Sequence, residues 1–213
     1  MSTLHTTATA TATAMAAGLQ DAVHEAQQAF RQVLDALARP GQARHIGSAL
    51  PGVILGGAMS RLLLSLTDDE TAVYWHSANP GVGADGALQS WLRFHTGART
   101  ALEPAVASFA VVTEPLQAPA LSNFELGSAA SPEFSSTLLM ELPSLVDGPA
   151  LEWRGPGIQD LQRVSLAGLH DGFWAQWQAN HAAFPQGVDI VFTCGEYALG
   201  LPRTTRASRL EGV

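Results

Sequence analysis

The sequence contains no lysine: all eleven cationic residues are arginines. That absence removes the Schiff-base amine, so this chain cannot hold pyridoxal phosphate covalently. It also removes the lysine of a Walker-type phosphate loop. Any phosphate chemistry falls to arginine, Thr or Ser hydroxyls and backbone N–H groups, and the planar guanidinium fork suits two phosphate oxygens at once. Cysteine is nearly absent as well. One cysteine, Cys194, excludes an intramolecular disulfide, a self-contained cysteine zinc site and an iron–sulfur cluster. Charge is sparse, with 14% charged residues against 46% hydrophobic, which suits a globular chain whose surface is partly covered by a partner. The net charge of −8 offers no basic face for a phosphate backbone, which argues against nucleic-acid binding.

Long apolar runs are missing too. None approaches the about 18 residues that a membrane span needs, so the expectation is a soluble, cytoplasmic protein. The opening MSTLHTTATATATAMAA has no basic region, no apolar core and no arginine, so it is not read as a signal or transit peptide. Residues 1–17 read as a disordered Thr/Ala tail, residues 18–207 as a single domain and residues 208–213 as a second tail.

Periodicity supplies the elements. Leu19, Val23, Ala26, Phe30, Val33 and Leu37 recur every three or four residues and predict a helix to Ala38, stopped by Arg-Pro-Gly at 39–41. Further helices are expected over 57–66, 87–96 and 171–184, the last with Phe173, Trp177 and Phe184 inward. TAVYW, ASFAVV, STLLMEL and PALEWRG read as strands. Mixed helices and strands predict an α/β fold, with helices packed on a mixed sheet and a hairpin at the C-terminal end.

Several motifs carry candidate chemistry. GVGADG at 81–86 has the G-x-G-x-x-G spacing, but it does not open a first βαβ unit, so it reads as an ordinary loop from Asn79 to Gly86. Arg93 and His95 lie near a helix C-terminus, where a cation caps the dipole or, alternatively, holds an anion. His24, His45, His76, His170 and His181 show no metal spacing.

The stretch DIVFTCGEYALGLPRTTR, 189–206, is the most informative. Gly195-Glu196 fits a two-residue type II′ turn. That register pairs Cys194 with Tyr197, Phe192 with Leu199, Ile190 with Leu201 and Val188 with Arg203. Cys194 then lies on an apolar face and reads as a small hydrophobe; as a nucleophile it would define a free-standing cysteine hydrolase. Arg203 needs a partner, and strand alternation turns Asp189 to the other face. Arg203, Thr204, Thr205 and Arg206 gather two guanidinium groups and two hydroxyls, suited to a phosphate or phosphonate; a polar rim or a subunit contact is the alternative.

AQQAFRQVLDALARPG, LRFHTGA and AFPQGVDIVFTCGEYALGLPRTT, in that order, resemble the H subunit of bacterial carbon–phosphorus lyase, the PhnH family, from about residue 20 to 206. The resemblance implies a fold similar to pyridoxal-phosphate-dependent transferases without the cofactor. It implies a homodimer that joins G, I and J subunits in alkylphosphonate breakdown. It further implies a part in the step where a phosphonate such as methylphosphonate displaces adenine from ATP, giving ribose 1-phosphonate 5-triphosphate, with radical C–P cleavage left to another subunit. An architectural subunit without a site of its own is the alternative. The resemblance brings no agreed catalytic residue. The candidate anion-binding residues are therefore Arg203, Thr204 and Thr205, then Arg93 and His95, with Cys194 and Glu196 behind them. ATP is the expected co-substrate, and no cofactor or metal is expected in the chain itself.

Overall fold

The computed structural model describes residues 16–76 and 84–209. These hold α1 (Ala22–Ala38), β1 (Arg44–His45), α2 (Gly57–Leu66), β2 (Ala72–His76), α3 (Ala84–Thr96), β3 (Arg99–Ala101), β4 (Phe109–Val112) and β5 (Thr137–Glu141). Then follow β6 (Ala150–Arg154), β7 (Gln162–Ser165), α4 (Phe173–Ala182), β8 (Asp189–Cys194), β9 (Tyr197–Leu201) and β10 (Arg206–Arg209). A seven-stranded sheet runs β1-β9-β8-β5-β4-β2-β3, and an antiparallel sheet of three runs β10-β6-β7. In the large sheet β3, β2, β4, β5 and β8 are parallel, while β9 and β1 continue antiparallel. The expected mixed α/β architecture is present.

The central strands are apolar without a break because both their faces are covered. Side chains alternate, so Val111, Leu139 and Val191 enter one core beneath α1, α2 and α3. Ala110, Val112, Leu138, Met140, Ile190 and Phe192 enter the other, closed by α4 and the small sheet through Phe173, Trp177 and Trp153. The result is three layers around one buried sheet.

The C-terminal hairpin forms in the expected register, with Ile190, Phe192 and Cys194 opposite Leu201, Leu199 and Tyr197. Gly195 takes φ +55° and Glu196 stays at negative φ, as a two-residue turn with glycine first requires. α2 spans the expected residues.

Other expectations need correction. α1 starts at Ala22, where Asp21 accepts the His24 N–H and the Glu25 carboxylate accepts the Asp21 N–H. Its buried face is Ala29, Val33 and Ala36, while Val23 is 70% exposed and Phe30 also faces outward. The reason is β9: Gly200 lets the strand backbone approach Ala36 and Leu37, so small residues take the contact. α4 ends at Ala182, which leaves Phe184 exposed rather than inward. β1, β3, β7 and β10 are short and carry little apolar pattern, and β10 extends into the stretch read as a tail. At the other end Ala17 is already tied in, donating its N–H to Pro51 and accepting from the Trp91 indole. The glycine-rich loop falls at 79–83 outside the described residues, and Gly86 belongs to α3.

Gly200→Ala tests the close approach. An added Cβ would stand 2.6 Å from the Ala36 carbonyl oxygen and 2.8 Å from Leu37 Cα, both backbone atoms. Overpacking of this kind costs about 1–3 kcal/mol, which urea unfolding of the two proteins would read as a lower midpoint.

Candidate functional site

Pro202 ends β9, and the Thr205 N–H closes a turn on the Pro202 carbonyl at 2.8 Å. The turn takes Arg203 out of strand alternation. Asp189, placed on the opposite face by the sequence, is therefore its partner. Its carboxylate accepts the Arg203 backbone N–H at 2.7 Å, Nε at 3.1 Å and Nη2 at 2.6 Å. Nη1 donates to the carbonyls of Pro132 and Pro185 at 3.1 and 3.2 Å, and Nη2 also donates to Ser135 Oγ. A guanidinium has five N–H groups, and all five are engaged inside the protein. In this state none is left for an anion, which corrects the expected role of Arg203.

The rest of the Arg-Thr-Thr-Arg stretch is also built inward. The Trp177 indole donates to the Thr205 carbonyl at 3.0 Å, and His181 Nδ1 lies 2.9 Å from the Arg203 carbonyl. Thr205 is buried, and its Oγ1 has no partner among the described residues. Thr204 is half-buried, and Arg206 is exposed on β10. The stretch therefore ties α4 to both sheets.

Arg93 and His95 form a separate group. Both are exposed in the last turn of α3. His95 Nε2 lies 3.1 Å from the Ala16 carbonyl, and its ring stands against Gly18, where a Cβ would come within 2.7 Å. His95 thus anchors the entry segment, and the two groups share no hydrogen-bond partner among the described residues. Cys194 packs against the α4-side core, and its Sγ–H points at the Pro143 carbonyl at 3.4 Å. Glu196 pairs with His45 at 3.0 Å on the surface, beside Tyr197.

The structure instead draws attention to the carboxyl ends of the parallel strands, where α/β sheets hold their ligands. β2 ends at His76 and β5 at Glu141, while Thr113 follows β4 and Thr193 lies next to last in β8. The chain runs from β2 to β3 on one side and from β4 to β5 on the other, so connections diverge here. Glu141 and Thr193 are register neighbours on the α2 side of the sheet. Glu141 Oε1 accepts the Gly56 N–H at 3.0 Å, capping α2 from outside the helix. Glycine at 56 lets the carboxyl reach this N–H, since a Cβ there would stand 2.4 Å from Oε1 and push the Glu141 side chain aside. Burial pushes the Glu141 carboxyl above its usual range, and the Gly56 N–H pulls partly the other way. Thr193 is fully buried with Oγ1 unpartnered among the described residues, and so is Nε2 of His76 on the opposite face. A carboxyl whose proton affinity is raised in such a place can give or take a proton. Glu141 was missed in the sequence, although an acid inside STLLMEL and the Gly-Gly at 56–57 were visible signs.

Elsewhere, a cleft of about 500 Å³ opens between α1 and the segment before α2. Its floor is the ion pair of Arg61 and Glu25 at 2.5 Å, and Glu25 titrates below its usual range because the Asp21 N–H and Arg61 both stabilise its charge. No group of His, Cys, Asp and Glu among the described residues could hold a metal ion. No described helix is long and apolar enough to cross a membrane.

These features define an α/β protein whose sheet carries a half-buried acid at the carboxyl end of its parallel strands. The family model described as "Bacterial phosphonate metabolism protein (PhnH)" matches residues 17–208. The Rhizobium meliloti (strain 1021) protein named "Alpha-D-ribose 1-methylphosphonate 5-triphosphate synthase subunit PhnH" is 37% identical over 190 residues, covering 89% of this chain and 93% of that one. HtxG of Stutzerimonas stutzeri, described as a C-P lyase subunit protein, is 35% identical over 180 residues, 84% of each chain. The chain belongs to the PhnH family.

Two variants test these assignments. Arg203→Ala leaves Asp189 uncompensated and three acceptors unpaired, so a loss of about 3–5 kcal/mol in urea unfolding is expected. Glu141→Gln keeps an acceptor for Gly56 but removes the titration. A carboxyl raised in the folded state stabilises most at low pH, and that contribution falls as pH rises through its folded value. Glu141→Gln should therefore melt above the parent protein near neutral pH. The gain should vanish as pH falls below the ordinary carboxyl value of 4.5.

Proposed function

We propose that this chain is a subunit of a carbon–phosphorus lyase system for alkylphosphonate breakdown. With G, I and J subunits it takes part in the displacement of adenine from ATP by a phosphonate such as methylphosphonate. A phosphonate oxygen bonds to C1 of the ribose as the bond from C1 to adenine breaks, and ribose 1-phosphonate 5-triphosphate results. The observation that carries this reading is the end-to-end match to a relative named as a subunit of that synthase. In this reading the protein is cytoplasmic, and ATP is a co-substrate rather than a resident cofactor. Alone, the chain forms a homodimer. Its own contribution to chemistry is the rim around Glu141, where a carboxyl of raised proton affinity could protonate a leaving group in a site completed by another subunit. The internal engagement of Arg203 favours a second reading, in which the subunit is architectural.

Co-expression with the G, I and J subunits of its source separates the two readings. Adenine release from ATP and methylphosphonate should require this chain. With the assembly intact, Glu141→Gln should slow release by about 100-fold if the rim takes part. Unchanged release would leave the architectural reading, and full release without this chain would end both.

A further inference from the structure

Arg203 joins two loops far apart in sequence, and each carries an exposed aromatic ring. Phe134 lies between two of its partners, Pro132 and Ser135, and is 72% exposed. Phe184 adjoins a third, Pro185, and is 58% exposed. The loops are further fixed to one another. Gln186 Nε2 donates to the Gly127 carbonyl at 2.9 Å, and the Gly187 N–H donates to Leu126 at 2.9 Å. Ser136 returns its N–H to Glu125 at 2.8 Å. Both rings are thus held out on braced backbone. Beside Phe184 a cleft of about 150 Å³ opens between α4 and the loop at 121–126, lined by Leu121, Leu126, Ala179 and Ala183 with the amides of Gln176 and Asn180.

We propose that this face is where a second copy of the chain docks, with Phe184 of each copy entering the cleft of the other. This rests on the homodimer proposed above and names its surface. A mostly apolar cavity of about 150 Å³ takes a benzene-sized group. A ring next to a cleft that fits a ring is what a two-fold axis needs, since each patch must match itself. Charge points the same way. A chain of net charge −8 repels its own copy, so self-association needs a face without net charge. The cleft lining is uncharged and Arg203 and Asp189 cancel, so the charge of this face stands at its edge, on Glu133 beside Phe134 and on Glu125 next to Leu126. The two rings present on the order of 250 Å². A stable interface takes about 800 Å² from each partner, so they form the anchoring centre of a wider contact.

Sedimentation equilibrium of the full chain across a concentration series tests the proposal. Phe134→Ser with Phe184→Ser should weaken the dimer about tenfold or more, and Ala179→Phe, which fills the cleft from within, should weaken it comparably. Val23→Ser, an equally exposed apolar side chain on α1, should change nothing. All four positions are exposed, so an unchanged melting temperature confirms that each variant folds. A dimer that survives both the double variant and Ala179→Phe overturns the face while leaving the homodimer standing. Loss of the dimer in Val23→Ser alone assigns it to α1 and also overturns the proposal. A parent chain that stays monomeric throughout removes the homodimer itself.

Discussion

The guanidinium of Arg203 is the contact on which the C-terminal half of the molecule depends. It sits where β9 has just ended and where the loops before β5 and β8 converge. One planar group takes a carboxylate, two carbonyls and a hydroxyl from three segments. A lysine ammonium has three donors and no fork, so it could not satisfy the same set. A charge this enclosed is tolerable only because each of its N–H groups is bonded and Asp189 neutralises it.

A second constraint acts at the opposite ends of the same strands. The α2 N-terminus is brought so close to β5 and the hairpin turn that Gly56 touches the Glu141 carboxyl and Gly195 accepts the Ala58 N–H. The acid then serves as a helix cap while half-buried. The two ends of the sheet are thus differently built. One is closed by a saturated charge pair. The other keeps a carboxyl of raised proton affinity and two polar atoms without partners among the described residues, Thr193 Oγ1 and His76 Nε2. The amino end is thus braced by a saturated ion pair, while the carboxyl end leaves polar groups unsatisfied among the described residues.

Much of the fold was legible because its signals are local. The hairpin follows from Gly195-Glu196 and the alternation on either side, and α2 and the central strands from their apolar patterns. Hydrophobicity alone favours Phe30 and Val23 for the buried face of α1, whereas Gly200 brings the β9 backbone against Ala36 and the helix buries Ala29, Val33 and Ala36. The four short strands were missed because two to four residues carry too little pattern; neighbours in the sheet define them. Among the candidate residues, Cys194 was read correctly as packing against the core, since its parity in the strand is a local matter. Arg203 was not, because one turn after Pro202 cancels that parity.

Composition alone determined that the chain has no lysine chemistry and no self-contained cysteine metal site, and that arginine is its only permanently cationic side chain for work with anions. Local pattern determined the buried sheet and its hairpin, since both rest on residues within a few positions of one another. Three quoted motifs in order identified the family. Only the tertiary structure decided what the arginines do. Arg203 meets Pro132, Ser135, Pro185 and Asp189, residues up to 71 positions away, and nothing in a linear pattern records which of them a folded chain will bring together. The same holds for Glu141 and Gly56, 85 positions apart, whose contact exists because packing α2 onto the sheet leaves a helix end facing a strand end.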